Sequence, residues 1–347
     1  MKKIYFFVSL VLCVFALEAQ PAGYYNSAEG KTGNALKAAL HNIIKNDNHV
    51  SYKELLNAYR QTDMKPNGKV WDIYSDVPGG NPPYQYDFGE NCGNYSGEGD
   101  CYNREHIWAQ SWTNDDSYHK TDILHVIPTD GYVNGKRSNY AFGEVKNAEW
   151  TSENGSKLGK CKTSGFNGTV FEPIDEYKGD VARTLMYVSV RYYNEDGSWK
   201  TSDMTNKSVI KDWAMDMLLR WHRDDPVDQK EINRNNAAYN IQGNRNPFID
   251  NMDYAEMIWD ATWSVSEDYV TMSVNVWPNP ATSTINISGE NINAVYMYNA
   301  VGQLVLTFDA VDETSTIDVN GFNEGIYFLN VISENGKSVM RKVVITK

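Results

Sequence analysis

Two short polar segments carry the side chains of this sequence that could do chemistry. Residues 103–106 read Asn-Arg-Glu-His and set a carboxylate beside an imidazole, and Asn134 follows about one short ββα unit later. A phosphodiester resists hydrolysis because its anionic oxygens repel a nucleophile and its alkoxide leaves poorly. A divalent cation lowers both barriers, and a neutral imidazole can take the proton of the attacking water. The combination of a carboxylate, an imidazole and a carboxamide from residues 131–139, where Asn134 and Asn139 are the candidates, indicates a metal-dependent nuclease.

A helix-rich domain is predicted to hold both segments. The chain has 347 residues, enough for an enzyme domain and a smaller module. Apolar side chains recur at helical spacing in 36–44, 178–193 and 210–221. Residues 65–101 are rich in Gly, Pro, Asn and Tyr and are predicted to be loops. We therefore expect helices, loops and a few short strands over 21–264.

The pattern changes after a predicted linker at 265–272. Short runs then alternate apolar and polar residues between Pro, Gly and Asn turns, at 274–276, 284–287, 295–298, 304–306, 326–329 and 343–345. Such regular short strands predict an antiparallel β-sandwich over 273–347. This module contains no His and no Cys, so it is not expected to be catalytic. The predicted fold class is α+β, with a helix-rich domain followed by a small all-β sandwich.

The N-terminus and the cysteines indicate export. Residues 1–20 combine a charged start with a short apolar run, which is typical of a signal peptide and too short for a stable membrane span. Cys13 would leave with that peptide. In an oxidising compartment Cys92 and Cys101 are expected to form a disulfide, with free thiols as the alternative. Cys161 has no assignment, and the lack of a CxxC pair argues against a zinc ribbon.

The charge balance restricts how a nucleic acid would bind. The chain has 32 basic and 45 acidic residues, for a formal net charge of −13. Non-specific binding rests on Lys and Arg that neutralise phosphates, so tight DNA binding is disfavoured unless basic groups concentrate at the cleft. Weak binding is compatible with turnover. The 10 Trp and 23 Tyr are available for core packing and for stacking on bases.

Three separated motifs resemble the bacterial endonuclease I family, over about residues 24–263. They are the segment 103–106, the segment 132–140 that reads Tyr-Val-Asn-Gly-Lys-Arg-Ser-Asn-Tyr, and the segment 242–250 that reads Gln-Gly-Asn-Arg-Asn-Pro-Phe-Ile-Asp. The resemblance implies an exported, metal-dependent, largely sequence-independent nuclease built around a ββα-metal finger. About the last 75 residues are similar to the sorting domain of the type IX secretion system. That similarity implies the secretion machinery as a partner and a secreted or cell-surface location.

The resemblance also implies a role for each site residue. His106 matches the general base, and Glu105 and Asn134 match the metal ligands, which as oxygen donors suit Mg²⁺ with Ca²⁺ or Mn²⁺ as substitutes. Arg137 and Arg245 are the candidates for gripping a phosphate, although Arg245 is more readily expected to brace the Asn-Pro loop. His125 is expected either to support a site residue or to pack in the core.

Cleavage of DNA, possibly also of RNA, to 5′-phosphate products is the leading hypothesis. A secreted nucleic-acid-binding or adhesion protein with an inactive nuclease fold is the alternative, because the acidic balance and the many aromatic residues suit it as well. A phosphodiesterase or phosphatase for small esters is a third possibility. Nothing in the sequence requires more than a monomer or a stable membrane insertion.

Overall fold

The computed structural model describes residues 20–260, 274–289, 292–299, 304–309, 314–333 and 338–347. The chain divides into two compact units, residues 1–262 and 263–347. The predicted linker and residues 1–19 of the predicted signal peptide lie outside the described residues, so the expectations for these segments remain predictions. No helix in the described ranges is both long enough and apolar enough to cross a membrane.

The first unit contains helices and sheets, as an α+β fold requires. Its helices are α1 Gly33–Ile44, α2 Leu55–Thr62, α3 Gly131–Arg137, α4 Lys178–Arg191, α5 Asp212–Asp224, α6 Gln229–Gln242, α7 Pro247–Asp250 and α8 Asp253–Trp259. Single 3-10 turns occur at Asn26–Ala28, Gln110–Trp112, His119–Thr121 and Asp175–Tyr177. Its strands are β1 Tyr102–His106, β2 Val126–Asp130, β3 Ala141–Phe142, β4 Val145–Thr151, β5 Lys157–Cys161, β6 Thr169–Glu172, β7 Thr205–Asn206 and β8 Val209–Ile210.

The predicted helical stripes form α1, α4 and α5. In α4 the side chains of Val181, Leu185 and Val188 are fully buried, and α4 packs against both α1 and α5. Each such side chain stabilises the fold by roughly 1.5–3 kcal/mol relative to exposure. The packing face of these helices, rather than helix propensity, fixes them in place.

A ββα unit holds the polar segments. Strands β1 and β2 pair antiparallel, with Glu105 opposite Ile127 and His106 opposite Val126. Helix α3 follows β2 without a loop, and the Asp130 side chain caps it by accepting a 2.7 Å hydrogen bond from the Val133 N–H. An aspartate at this position satisfies a backbone donor that the first helical turn leaves free. The cap fixes the direction in which α3 leaves the strand.

A disulfide-closed loop packs against α3. Cys92 and Cys101 are bonded, which confirms the predicted pair, and Cys161 is a buried free thiol. The loop carries Tyr95, which lies so close to Gly131 and Gly135 that a Cβ at either position would come within 2.7 Å of its side chain. The two glycines of α3 are therefore required by this close approach, and the loop supports the helix.

A four-stranded sheet between residues 141 and 172 was not predicted. Its order is β3-β6-β5-β4, with β3 and β6 parallel and the other pairs antiparallel. Two register shifts interrupt the β4–β5 ladder, and most of β4 is exposed. An exposed, irregular strand lacks the regular apolar alternation on which a sequence prediction depends.

The second unit is all-β in its described residues. Its strands are β9 Asn275–Trp277, β10 Thr284–Ser288, β11 Ile292–Asn299, β12 Leu304–Asp309, β13 Thr314–Asp318, β14 Gly325–Ser333 and β15 Ser338–Ile345. They form two sheets, ordered β13-β10-β9 and β12-β11-β14-β15. Side chains from both sheets, among them Ile285, Val295 and Leu329, share one apolar core. The six predicted runs all fall on strands, and β13 is an addition.

Candidate active site

A cleft of about 330 Å³ opens where β1 meets α3. It is lined by Arg104, Glu105, His106, Ala109, Gln110, Ser111, Asn134, Arg137, Ser138 and Asn139. Four of the five predicted site residues therefore lie together. The fifth, Arg245, does not line this cleft.

His106 is held by the loop that joins β1 to β2. Its Nε2 atom lies 3.1 Å from the carbonyl oxygen of Lys120. A carbonyl oxygen can only accept, so this contact assigns the proton to Nε2 and leaves the lone pair on Nδ1. Burial, followed by the neighbouring His125, lowers the pKa of His106 to about 3. The imidazole is therefore neutral at neutral pH and can accept a proton through Nδ1.

Two buried histidines pack behind His106. The rings of His119 and His125 are stacked with centroids 4.0 Å apart, and His125 is 5.8 Å from the ring of His106. Nε2 of His125 lies 2.6 Å from the carbonyl oxygen of His119. Burial lowers the pKa of both residues, so the cluster is uncharged at neutral pH. His125 thus lies in the core behind the cleft, where its ring supports His106.

Glu105 points to the other side of β1, as strand alternation requires. Its carboxylate is 2% exposed and accepts a 2.9 Å hydrogen bond from the Tyr74 hydroxyl. The guanidinium of Arg137 lies 3.2 Å away. Burial raises the pKa of Glu105, whereas Arg137 and the Tyr74 hydrogen bond act in the opposite direction. Glu105 therefore faces α3, and His106 faces the loop that joins β1 to β2. Both residues line the cleft.

Asn134 is oriented by two hydrogen bonds to β1. Its Nδ2 donates to Oδ1 of Asn103 at 2.7 Å and to the Arg104 carbonyl oxygen at 3.2 Å. These bonds fix the amide so that Oδ1 is the atom left to bind a further partner. The carboxylate of Glu105 and this amide oxygen are hard donors on the same cleft.

The donor set fits a hard cation that retains most of its water. Groups of three or more His, Cys, Asp or Glu suited to a metal are absent from the ranges the structure describes. A zinc centre of that kind is therefore not indicated among them. Mg²⁺ keeps several waters and needs only one or two protein oxygens. Glu105 and Asn134 match that requirement.

Arg137 does not face the cleft as a free cation. It is 1% exposed, and it donates to the carbonyl oxygens of His106 at 2.9 Å and of Ile107 at 2.7 Å. With Glu105 it completes a buried group of contacts that braces the end of β1. These contacts favour a role for Arg137 inside the protein, and its assignment to the phosphate stays a prediction.

Arg245 is engaged outside the cleft. Its Nε and Nη2 both donate to the carboxylate of Asp250 at 2.7 Å, and Nη2 also donates to Asn236 at 2.8 Å. The side chain is 2% exposed. A bidentate pair with a carboxylate five residues later occupies the fork that a phosphate would need. The contacts favour the loop brace that the sequence analysis expects for Arg245, and its assignment to the phosphate stays a prediction.

Two other cations lie beside His106. Arg104 precedes Glu105 in β1, and Lys120 belongs to the loop that holds the imidazole. Both lie against the ring of Tyr52, at 4.2 Å and 5.2 Å from its centroid. Sequence reasoning missed Arg104 although it belongs to the first motif, since its residue type alone does not show which way it points.

Comparisons with protein families match both units. Residues 32–253 match the family model described as Endonuclease I, and residues 275–346 match the one described as Secretion system C-terminal sorting domain. A module of the second kind directs export by a secretion system. The protein is accordingly exported, to the medium or to the cell surface.

Relatives of the chain are named as nucleases. An extracellular ribonuclease of Bacillus amyloliquefaciens is 38% identical over 252 residues, covering 71% of this chain and 81% of the relative. An extracellular ribonuclease of Bacillus subtilis (strain 168) is 38% identical over 245 residues, covering 68% and 78%. A periplasmic deoxyribonuclease of Aeromonas hydrophila is 28% identical over 131 residues, covering 37% and 47%.

Proposed function

We propose that this chain, which belongs to the endonuclease I family, is a metal-dependent nuclease that hydrolyses DNA and RNA internally. The observation that carries the proposal is the convergence of Glu105, His106 and Asn134 on one cleft. The expected products carry 5′-phosphates. Recognition is expected to be largely independent of sequence, and the type IX secretion machinery is the proposed export partner.

The proposed metal ligands are Glu105 and Asn134, with Mg²⁺ as the first candidate and Mn²⁺ or Ca²⁺ as substitutes. When bound, such a cation supplies positive charge to the phosphate oxygens and to the leaving 3′-oxygen. The raised pKa of Glu105 reflects the cost of burying its charge, which a nearby cation offsets. The two hydrogen bonds on Nδ2 of Asn134 present Oδ1 as a donor without any rearrangement.

His106 is the proposed general base. The Lys120 carbonyl oxygen holds Nε2–H, so Nδ1 accepts the proton of the attacking water. The low pKa keeps the imidazole in its basic form before substrate binds. An anionic phosphate close to the ring favours the protonated form, and so strengthens the base when substrate arrives.

Arg104 and Lys120 are the proposed contacts to substrate phosphates, and Arg137 is a positioning residue. Arg104 lines the cleft directly beside Glu105. Arg137 acts through the protein, because it fixes Glu105 and the carbonyl oxygens that follow β1. Arg104 at the cleft and Lys120 on the neighbouring loop, in a chain with net charge −13, favour weak binding and release of product.

Metal removal tests this function directly. The purified chain is incubated with supercoiled plasmid and separately with a structured RNA, in Mg²⁺, Mn²⁺ or Ca²⁺, and each reaction is repeated with EDTA. We expect both substrates to be nicked and degraded with metal and to stay intact with EDTA. The ends of the fragments are then assigned by ligation and by phosphatase sensitivity.

The controls separate three outcomes. Cleavage that persists in EDTA contradicts the metal requirement. A protein that is folded by circular dichroism but leaves both substrates intact in all three metals contradicts the nuclease function. Hydrolysis of a small phosphodiester without polymer cleavage would point to small esters instead.

A further inference from the structure

A tyrosine side chain lies exposed beside the proposed base. Tyr52 belongs to the turn before α2, and 39% of its surface is exposed. Its ring is nearly parallel to that of His106, with 18° between the planes and 6.4 Å between the centroids. Aromatic side chains in the core of this unit are mostly buried. A large ring that stays exposed next to a cleft calls for a separate explanation.

Two cations flank this ring. The guanidinium carbon of Arg104 is 4.2 Å from the ring centroid, and Nζ of Lys120 is 5.2 Å from it. Over the part of the chain that the structure describes, no other ring has two such cations against it. In addition, the buried Nε of Arg104 has no hydrogen-bond partner among the described residues. Two positive charges thus lie against a ring that is 39% exposed, and one of them, Arg104, carries a buried N–H without a partner.

This arrangement matches the chemistry of an unpaired nucleotide. A base can stack on an aromatic ring whatever its identity, because every base has a π-face, while the phosphates on either side meet positive charge. Paired bases in a duplex are stacked on each other and cannot lie on the ring without leaving the helix. The cluster therefore suits a single-stranded segment better than a duplex.

We propose that Tyr52 forms a stacking subsite for the base of a nucleotide next to the scissile phosphate, with Arg104 and Lys120 contacting the adjoining phosphates. The proposal rests on the proposed nuclease function and adds a preference for single-stranded DNA or RNA. The centroids of the Tyr52 and His106 rings are 6.4 Å apart, so a nucleotide on this subsite would lie next to the proposed base. The subsite selects unpaired strands without selecting a base.

Binding tests the subsite without relying on cleavage. The full chain carries His106→Gln, which removes the proposed base and keeps a planar side chain beside Tyr52. A short fluorescein-labelled single-stranded oligonucleotide is titrated by fluorescence anisotropy, and its integrity is checked on a gel. Adding Tyr52→Ala is expected to weaken binding about tenfold, within the range known for stacking on an aromatic side chain. Tyr52→Phe, which keeps the ring, is expected to bind like the parent.

Cleavage rates then test whether the contribution of Tyr52 depends on an unpaired base next to the cleaved bond. With His106 present, Tyr52→Ala is expected to lower kcat/KM about tenfold on a single strand and much less on a duplex. A single strand with one abasic nucleotide next to the cleaved bond should remove the difference between Tyr52→Ala and the parent. The matched control is Tyr118→Ala, because Tyr118 is also exposed and packs at a tilt against a histidine, His49, outside the cleft.

Distinct results overturn distinct claims. Equal binding by Tyr52→Ala and the parent, or equal loss in Tyr52→Ala and Tyr52→Phe, overturns the stacking subsite even if the protein cleaves. A loss in Tyr118→Ala as large as in Tyr52→Ala also overturns it. Absence of cleavage by the parent contradicts the proposed function, and the anisotropy result still decides the subsite.

Discussion

The two units of this protein distribute their polar groups in opposite ways. The first unit, residues 1–262, is called the catalytic unit here. It buries charged side chains around its cleft, including Glu105 and Arg137, both at most 2% exposed. The second unit, residues 263–347, is the sorting unit. In its described part Ser315 is the buried polar residue, and the rest of the core is apolar. A buried charge costs free energy unless it is paired, whereas apolar burial stabilises directly. The apolar core of the sorting unit thus stabilises that unit directly. The buried charges of the catalytic unit cost free energy of folding and position the site.

Removing the proposed base gives the largest expected effect. In His106→Ala we expect turnover to fall by about 10²–10⁴ with the fold retained, as for the loss of a general base. The rate of plasmid nicking measures the effect, and circular dichroism checks the fold. His49→Ala is the matched control, because His49 pairs with Asp47 and does not line the cleft. A turnover that equals the parent's would assign the base elsewhere.

The two arginines of the site should separate stability from binding. In Arg137→Met we expect the unfolding free energy to fall by about 3–5 kcal/mol, because Glu105 is left buried without its partner. In Arg104→Met we expect a change within about 0.5 kcal/mol, since Arg104 is half-buried and its charge faces the cleft. The KM of the Arg104→Met variant for nucleic acid should rise instead. Urea unfolding and steady-state kinetics measure these two quantities.

The arginine comparison has a clear negative outcome. If Arg137→Met unfolds like the parent and raises KM, Arg137 reaches the phosphate after all. If Arg104→Met unfolds much more easily and leaves KM unchanged, Arg104 stabilises the fold and is not the residue that binds the phosphate.

A core substitution in the sorting unit should leave the chemistry intact. In Leu329→Ala we expect about 2–5 kcal/mol of destabilisation, because Leu329 is fully buried in the apolar core of that unit. Export should decline while the nicking rate of the purified protein stays unchanged. Ile326→Ala, on the same strand but 42% exposed, is the control for export and stability. A parallel loss of nicking would make the sorting unit part of the enzyme.

The smallest effect is expected at the second metal ligand. In Asn134→Ala the metal concentration that gives half-maximal activity should rise by at least about tenfold, as for groups that support a metal site. Activity should return at high Mg²⁺, because Glu105 remains. Asn139→Ala is the control, since Asn139 lines the same cleft and its Nδ2 is bonded to the Ser111 hydroxyl. An unchanged metal requirement in Asn134→Ala would exclude it as a ligand.

The elements of this fold that bury a regular apolar face could be predicted from the sequence, and the exposed ones could not. Helices α1, α4 and α5 and six strands of the sorting unit were predicted, because each has an apolar face with a regular period. The sheet formed by β3, β4, β5 and β6 was missed. Strand β4 is mainly exposed and its pairing with β5 is irregular, so its sequence carries little periodic signal.

The chemistry available to this protein was readable in its amino-acid sequence. The order of three motifs was enough to indicate a nuclease, and the cysteine pair was enough to predict the disulfide. The metal requirement and the roles of Glu105, His106 and Asn134 stay predictions. Residue type records what a side chain is able to do, and motif order is a property of the chain itself.

The use of those side chains depends on the folded chain. Arg137, Arg245 and Arg104 are chemically identical. However, Arg137 is bound by two backbone carbonyl oxygens, Arg245 is paired with Asp250, and Arg104 lines the cleft against Tyr52. The three side chains differ because buried acceptors orient the guanidinium groups of Arg137 and Arg245, whereas the guanidinium of Arg104 lies over an aromatic ring. Residues distant in sequence supply those acceptors or the neighbouring ring, and folding alone brings them together.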